Sequence, residues 1–377
     1  MVAENHPIYL DHNATTPLLP EVLEAMLPFL ADHHGNPSSS HAYGRHARLA
    51  VDTAREQVAE LVGAWPDEVV FTSGGTEANN LAILGVAAAS PRRRLITSAV
   101  EHPSAAEPCA YLQRFGWKVA TLPVDGDGVI SLDPAPAGED TALLTVILAQ
   151  NEVGTLQPVG RLADWARERG ALVHTDAAQA VGKIPVRVDD LGVDLLSVAG
   201  HKLYGPKGVG ALYVRKGVRL EPVLRGAGQE RGIRPGTENV AAIVGLGVAG
   251  AAAGRDLEAE ANRQSQLRDD LWRRLREAIP GICRNGHPRE VLPNTLNVSF
   301  PGVAGSAVLD AAPGIAAATG SACHEGDPAP SPVLAAMGLD AASSRGAVRL
   351  SLGRGTSAAQ IADAARALVA AYRSAAR

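Results

Sequence analysis

Seven short apolar runs, most of them separated by a helical pattern, constrain this 377-residue chain more than any other feature. The runs cover 68–72, 94–98, 117–122, 141–148, 171–175, 194–198 and 210–214. Each has strand length and lacks polar alternation, as expected of a strand covered on both faces. Between them, 77–89, 103–115 and 161–169 read as helices. Strands alternating with helices predict an α/β fold with a mostly parallel seven-stranded sheet between helices. Ligands on such sheets bind at the carboxyl ends of the strands. Beyond position 237 the pattern changes. A long helical stretch, 237–278, is followed by strands at 294–300 and 347–352 and helices at 305–311 and 357–373. This predicts a smaller α+β C-terminal domain, and the length itself exceeds one ordinary core.

Composition narrows the function classes. A net charge of -5 and a pI near 6.1 argue against nucleic-acid or anionic-membrane binding. Three cysteines, Cys109, Cys283 and Cys323, are too few and too scattered for a disulfide framework. The first residues lack a signal-peptide pattern, and the longest apolar stretch, 240–254, is short of the ~20 residues a bilayer span needs. A cytoplasmic protein is the expectation. No His/Cys spacing supports a metal site.

The chemistry concentrates at strand ends. Of five lysines, Lys202 follows an apolar run in Val-Ala-Gly-His-Lys and precedes a turn rich in Gly and Pro. An amine used as a nucleophile must be partly unprotonated, and desolvation favours that form. Lys118, Lys183 and Lys216, at strand ends or turns, read as solvated surface charges, and Lys207 lies inside the turn. Gly74-Gly75-Thr76-Glu77 joins a strand to a helix, so it either cradles a phosphate or is a plain turn with Thr76 as N-cap. Asp176 ends an apolar strand and either pairs with a protonated ring nitrogen or caps the next turn. An Asp and a Lys on neighbouring strand ends, with an anion site on another, outline a pyridoxal phosphate pocket. His102 could stack on a flat ring or merely begin a helix, and Asn151 can offer its amide to the same pocket. Cys323 sits in a loop of small residues beside His324 and reads as a nucleophile or an unused surface thiol. Cys109 and Cys283 read as filler. Arg349, alternating with apolar residues on a strand, either forms a salt bridge or grips a carboxylate.

Gly-Gly-Thr-Glu-Ala-Asn-Asn, Glu-His-Pro, Gln-Asn-Glu-Val-Gly-Thr, Asp-Ala-Ala-Gln, Gly-His-Lys, Arg-Pro-Gly-Thr-Glu-Asn and Gly-Ser-Ala-Cys occur in that order. With Tyr-Leu-Asp-His-Asn-Ala-Thr-Thr-Pro at 9–17 and His-Gly-Asn-Pro-Ser-Ser at 34–39, the chain closely resembles the cysteine desulfurases. These form part of the class V aminotransferase group of fold-type I pyridoxal 5'-phosphate enzymes. The resemblance implies an N-terminal segment (1–20) packing with the small domain, a large cofactor-binding domain (21–254) and a small domain (255–377) carrying the cysteine loop. It also implies roles. Lys202 would hold the cofactor covalently as an aldimine, Asp176 would pair with its ring nitrogen, Gln179 would contact the ring hydroxyl and His102 would stack on the ring. Gly75, Thr76 and His201 would hold the phosphate, with Thr237 reaching in from the partner of a homodimer. Asn151, Arg349 and Asn36 would bind the L-cysteine carboxylate. Cys323 would take the sulfur as a persulfide for a protein acceptor, such as an iron–sulfur scaffold or a thiolation or DNA sulfur-modification protein.

Two departures stand out. Many relatives carry a serine hydroxyl where this chain has Ala199, and Ser197 is two residues out of register. Cys323-His324 followed by Pro-Ser-Pro-Val-Leu at 330–334 resembles selenocysteine lyases as much as desulfurases.

Overall fold

The computed structural model describes residues 6–133, 140–319 and 331–377. Its strands are β1 (Ile8–Tyr9), β2 (Val69–Thr72), β3 (Arg94–Ser98), β4 (Lys118–Leu122), β5 (Thr141–Ile147), β6 (Leu172–Asp176), β7 (Leu195–Ala199), β8 (Gly210–Val214), β9 (Cys283–Asn285), β10 (Thr295–Ser299), β11 (Ile315–Ala316) and β12 (Ala347–Ser351). The helices are α1 (Pro20–Ala31), α2 (Ala42–Val62), α3 (Gly75–Ala89), α4 (Pro103–Gln113), α5 (Val159–Arg167), α6 (Val188–Leu191), α7 (Val240–Arg255), α8 (Leu257–Ala278), α9 (Gly305–Asp310), α10 (Pro332–Ala336), α11 (Ala341–Arg345) and α12 (Ala358–Ala375).

The main sheet has seven strands in the order β2-β8-β7-β6-β5-β3-β4. Only β8 runs against the rest, pairing antiparallel with both β2 and β7. The seven apolar runs are these seven strands. Every residue of β5, β7 and β8 is buried, which is why their sequences show no polar face. Because the other six strands share one direction, Thr72, Ser98, Ile147, Asp176 and Ala199 all fall on one edge of the sheet.

A second apolar core lies around the three-stranded antiparallel sheet β12-β10-β9, where α8 and α12 pack through Leu271, Leu275, Ile361 and Leu368. The N-terminal segment belongs to this region in space. β1 pairs parallel with β11, and Asn13 N donates to Ser351 Oγ at 2.9 Å.

The single long helix expected over 237–278 is two helices, bent by 74° at Asp256, where φ is -118° and ψ is 12°. The Ala/Gly-rich α7 is buried against α1 and α2, whereas the charged α8 lies over the second core, so the two need different directions. Among the described residues no single helix is long and apolar enough to cross a membrane.

Candidate active site

The carboxyl edge of the sheet opens into a cavity of about 270 Å³. Asp176, the last residue of β6, lines it and is buried. Its Oδ1 accepts from Ala178 N at 2.9 Å and its Oδ2 from Asn79 Nδ2 at 2.7 Å. Two donors therefore hold the carboxylate in place inside a largely apolar surrounding.

His102 begins α4 as its N-cap and also lines the cavity. Its Nδ1 lies 3.1 Å from Ser104 N and 2.7 Å from Ser104 Oγ. Ser104 Oγ in turn accepts from Asn79 Nδ2 at 2.8 Å, which leaves the hydroxyl proton to point at His102 Nδ1. Nδ1 is thus an acceptor, and the neutral ring carries its proton on Nε2. Burial, helped by Lys202 and opposed by the Asp176 carboxylate, holds the His102 pKa below its ordinary value. Asn79, on the inner face of α3, ties Asp176 to His102. Its motif was visible in the sequence, its role was not.

Lys202 closes the one-turn 3-10 helix Gly200–Lys202 that follows β7. Its Nζ donates to Asn13 O at 2.5 Å and to Ala14 O at 2.9 Å, so the N-terminal segment lies over the amine. The turn is held in a strained shape: Tyr204 has φ +67°, stabilised by Tyr204 N donating to Thr16 Oγ1 at 2.8 Å.

Asn13 is the residue that sequence reasoning missed most. Its backbone carbonyl accepts from Gln179 Nε2 at 2.9 Å, its Oδ1 from Asn294 Nδ2 at 3.0 Å, and its Nδ2 donates to Thr295 Oγ1 at 2.9 Å. Lys183 corrects an expectation outright. It is no solvated surface charge: its Nζ donates to Asn13 Oδ1 at 3.1 Å and Gln179 Oε1 at 2.7 Å. Burial, then Lys202 and Arg349, push its pKa well below the lysine range.

At the other end of the cavity, Gly75, Thr76, Ala199 and His201 come together. Gly74, not Thr76, occupies the N-cap position of α3, with φ +150°. A side chain at Gly210 would meet Val198 O at 2.5 Å and Gly74 backbone at 2.8 Å, so glycine there lets β8 pass beneath the turn. A Cβ on Gly75 would lie 3.3 Å from Ala199 Cβ, leaving room only for backbone at this wall. Ser197 cannot replace the hydroxyl lacking at Ala199, because it is buried and bonds His174 Nε2 at 3.0 Å. Burial and the neighbouring Lys202, Lys207 and Lys183 push His201 down to about 4.

Arg349, on β12, enters the cavity from the second core. Nη2 pairs with Asp11 Oδ1 at 2.7 Å and Nη1 donates to Asn151 O at 3.2 Å, while Nε is buried and lacks a partner. The salt bridge of the sequence reading is therefore present, and the buried Nε–H remains for a further acceptor. Asn151 and Gln179 also line the cavity. Asn36 does not: it is exposed, its Oδ1 accepting from Ser38 N at 2.9 Å. Nor does Thr237, exposed in the segment before α7. Cys323 lies outside the described residues. Cys109 is buried in α4, whereas Cys283 is exposed on β9.

A family model described as aminotransferase class-V matches residues 8–363. The chain belongs to the aminotransferase class-V family. A protein named cysteine desulfurase IscS from Dictyoglomus turgidum is 46% identical over 353 residues, covering 92% of this chain and 89% of that one. A cysteine desulfurase of Homo sapiens is 43% identical over 94% of this chain and 79% of its own length. Among solved structures, a NifS-like protein superposes with a TM-score of 0.90 at 38% identity, covering 97% of this chain and 98% of the other. DndA from Streptomyces lividans does so with a TM-score of 0.78 at 36% identity, covering 91% and 99%. Class-V enzymes use pyridoxal 5'-phosphate, and this cavity fits it. A fixed carboxylate on β6, an amine at the end of β7 and a glycine-walled helix N-terminus suit a flat cationic ring with an anionic arm.

Proposed function

We propose that this chain is a pyridoxal 5'-phosphate-dependent cysteine desulfurase, converting L-cysteine to L-alanine and leaving the sulfur on Cys323 as a persulfide. The observation that carries the reading is Lys202 and Asp176 in one cavity with Arg349 opposite, in a chain whose 43–47% identical relatives bear the cysteine desulfurase name. When bound, the cofactor supplies an electron sink for the substrate's α-carbon.

The protein's own groups do the rest. Lys202 Nζ would hold the cofactor covalently and would serve to move the substrate's α-proton, its bonds to the Asn13 and Ala14 carbonyls keeping it aimed. Asp176 holds the ring nitrogen protonated, while Gln179 meets the ring hydroxyl. His102, which lines the cavity, would lie against the ring and offer Nε2–H to the substrate thiol. Gly75, Thr76 and His201 hold the phosphate, with Thr237 supplied by the second protomer of a homodimer. Arg349 and Asn151 receive the substrate carboxylate. The Cys323 thiolate attacks the substrate sulfur as the carbon–sulfur bond breaks, so one cysteine and one protein thiol give alanine and one persulfide. A protein acceptor then takes the sulfur, and the compartment is the cytoplasm.

The relatives named above give the selenocysteine-lyase alternative no support. Mass spectrometry of the full chain after L-cysteine addition tests the proposal. A sulfur adduct on the Cys323 peptide, with stoichiometric alanine, is expected. Alanine without an adduct, or neither product, refutes it.

A further inference from the structure

Lys183 is a partly buried cation with an unusual set of partners. Among the described residues no carboxylate pairs with it. Its Nζ instead donates to two amide oxygens, Asn13 Oδ1 at 3.1 Å and Gln179 Oε1 at 2.7 Å. An enclosed ammonium without a counter-ion is costly and shifts its own titration. Both of its acceptors belong to residues that touch the proposed chemistry. Gln179 lines the cavity, and the Asn13 carbonyl receives both Gln179 Nε2 and Lys202 Nζ.

The geometry has two effects. An ammonium can only donate, so Lys183 forces Gln179 Oε1 to face it and turns the amide's NH2 toward the Asn13 carbonyl and the cavity. Gln179 therefore meets a ligand as a donor. The second effect is electrostatic. Lys183 and Lys202 bond to the two ends of one residue, Asn13, and like charges at that range disfavour each other's protonated form.

We infer that Lys183 is a positioning residue for the proposed reaction: it fixes the Gln179 amide as a donor and holds Lys202 toward its free-amine form. The inference deepens the cysteine desulfurase reading and rests on it. Other charges also face this pair and stay in place when Lys183 is changed: Asp176 and His102 across the cavity, His201 beside Lys202, Arg349 from β12, and Asp11 and His12 from the N-terminal segment. Their contribution is common to every variant compared.

The test measures Lys202 itself. The full-length chain, freed of cofactor, is labelled with trace acetic anhydride across a pH series, and acetylation of the Lys202 peptide is read by mass spectrometry. The absorbance of the cofactor-loaded protein is titrated in parallel. Lys183→Met removes the charge in a side chain of similar length. Both midpoints are expected to rise by about one pH unit, leaving about tenfold less free amine at a given lower pH. Lys183→Arg keeps the charge and is expected to keep the wild-type midpoints. If Lys183→Met gives no cooperative melt, Lys183→Gln is read the same way, since it retains a donor but not the charge. Unshifted midpoints in the uncharged variant, or an equal shift in Lys183→Arg, overturn the inference. A wild-type chain that forms no alanine from cysteine would instead refute the functional reading, and the labelling midpoints would still report on the lysine pair.

Discussion

Glu230 offers a quantitative check on how the segment before α7 is held. It lies at φ +45°, followed by Arg231 at +57°, two non-glycine residues in the left-handed region. Such strain costs of order 1–3 kcal/mol per residue and needs strong local restraint. The restraint is a two-pronged pair with Arg55: Nη1 to Oε2 at 2.8 Å and Nη2 to Oε1 at 2.6 Å, with side chains only 10% and 3% exposed. Phe71 N adds a third bond to Oε2 at 2.8 Å, anchoring the segment to β2. In Glu230→Gln the carbonyl can keep the Oε2 position, but the amide nitrogen then faces Arg55 Nη2 as donor against donor. The buried guanidinium also loses its counter-charge, and breaking such a pair from one side costs about 3–5 kcal/mol. Arg55→Met strands the carboxylate and is expected to cost about as much. The double variant has no orphaned charge, so it should be about 2 kcal/mol or more better than the sum of the two singles. At ~2.1 cal/mol/K per residue over 377 residues, each single variant lowers Tm by about 5 °C. Urea titration of the four proteins at pH 7 measures the cycle. Additive singles, or single losses under about 1 kcal/mol, would refute the reasoning and class the pair with surface ion pairs.

Three further outcomes are expected. Ala199→Ser restores a hydroxyl at the wall shared with Gly75, and a bond to a charged phosphate should slow cofactor loss on dialysis about tenfold; unchanged or faster loss counts against a phosphate at this end. Arg349→Lys keeps a charge but loses the planar fork, so KM for cysteine should rise about tenfold or more with a smaller change in kcat; steady-state kinetics with an unchanged KM would remove Arg349 from the substrate. Urea midpoints taken from pH 4 to 9 should climb steeply up to about pH 6.5. Below it, His12, His174 and His201, each pushed down to about 4 by burial, stay neutral in the fold while the unfolded chain takes up protons, so stability falls with pH. Above it, Glu101, pushed up to about 8 by burial, holds a proton that the unfolded chain has already released and lowers stability as pH rises, while Lys183, held well below the lysine range, acts with the opposite sign; Glu101→Gln should therefore make the midpoint climb more steeply with pH between about 6.5 and 8.

What was legible in the sequence was local. The strands announced themselves as apolar runs because all but the edge strand β4 are largely buried. Asp176, His102, Gly75 and Lys202 stood out because each ends a strand or follows one. Contacts between distant segments stayed hidden. The Asn79 link to Asp176 spans 97 positions and that of Asn13 to Thr295 spans 282, and nothing around either asparagine encodes its partner. Lys183 was misread because a turn position ordinarily means solvent, and only the N-terminal segment folding back encloses it. The break at Asp256 was invisible for a similar reason: either half is a good helix, and the bend comes from two cores pulling in different directions. Asn36 and Thr237 were drawn from the resemblance alone, and neither lines the cavity of a single chain.

The N-terminal segment also imposes an order in time. Residues 11 and 13 find Arg349 and Ser351 only 338 positions later. At ~5–20 residues per second, that interval is roughly 17–68 s. Through most of it β1 has no strand to pair with, since Ile8 meets Ile315, and the Asn13 side chain lacks Asn294 and Thr295. The lysine and the aspartate are synthesised midway, but the pocket that aims them is closed by the chain's beginning meeting its end. Capture of cofactor in its final geometry is therefore a late event in the making of this protein, and a truncation at either terminus acts on the same place.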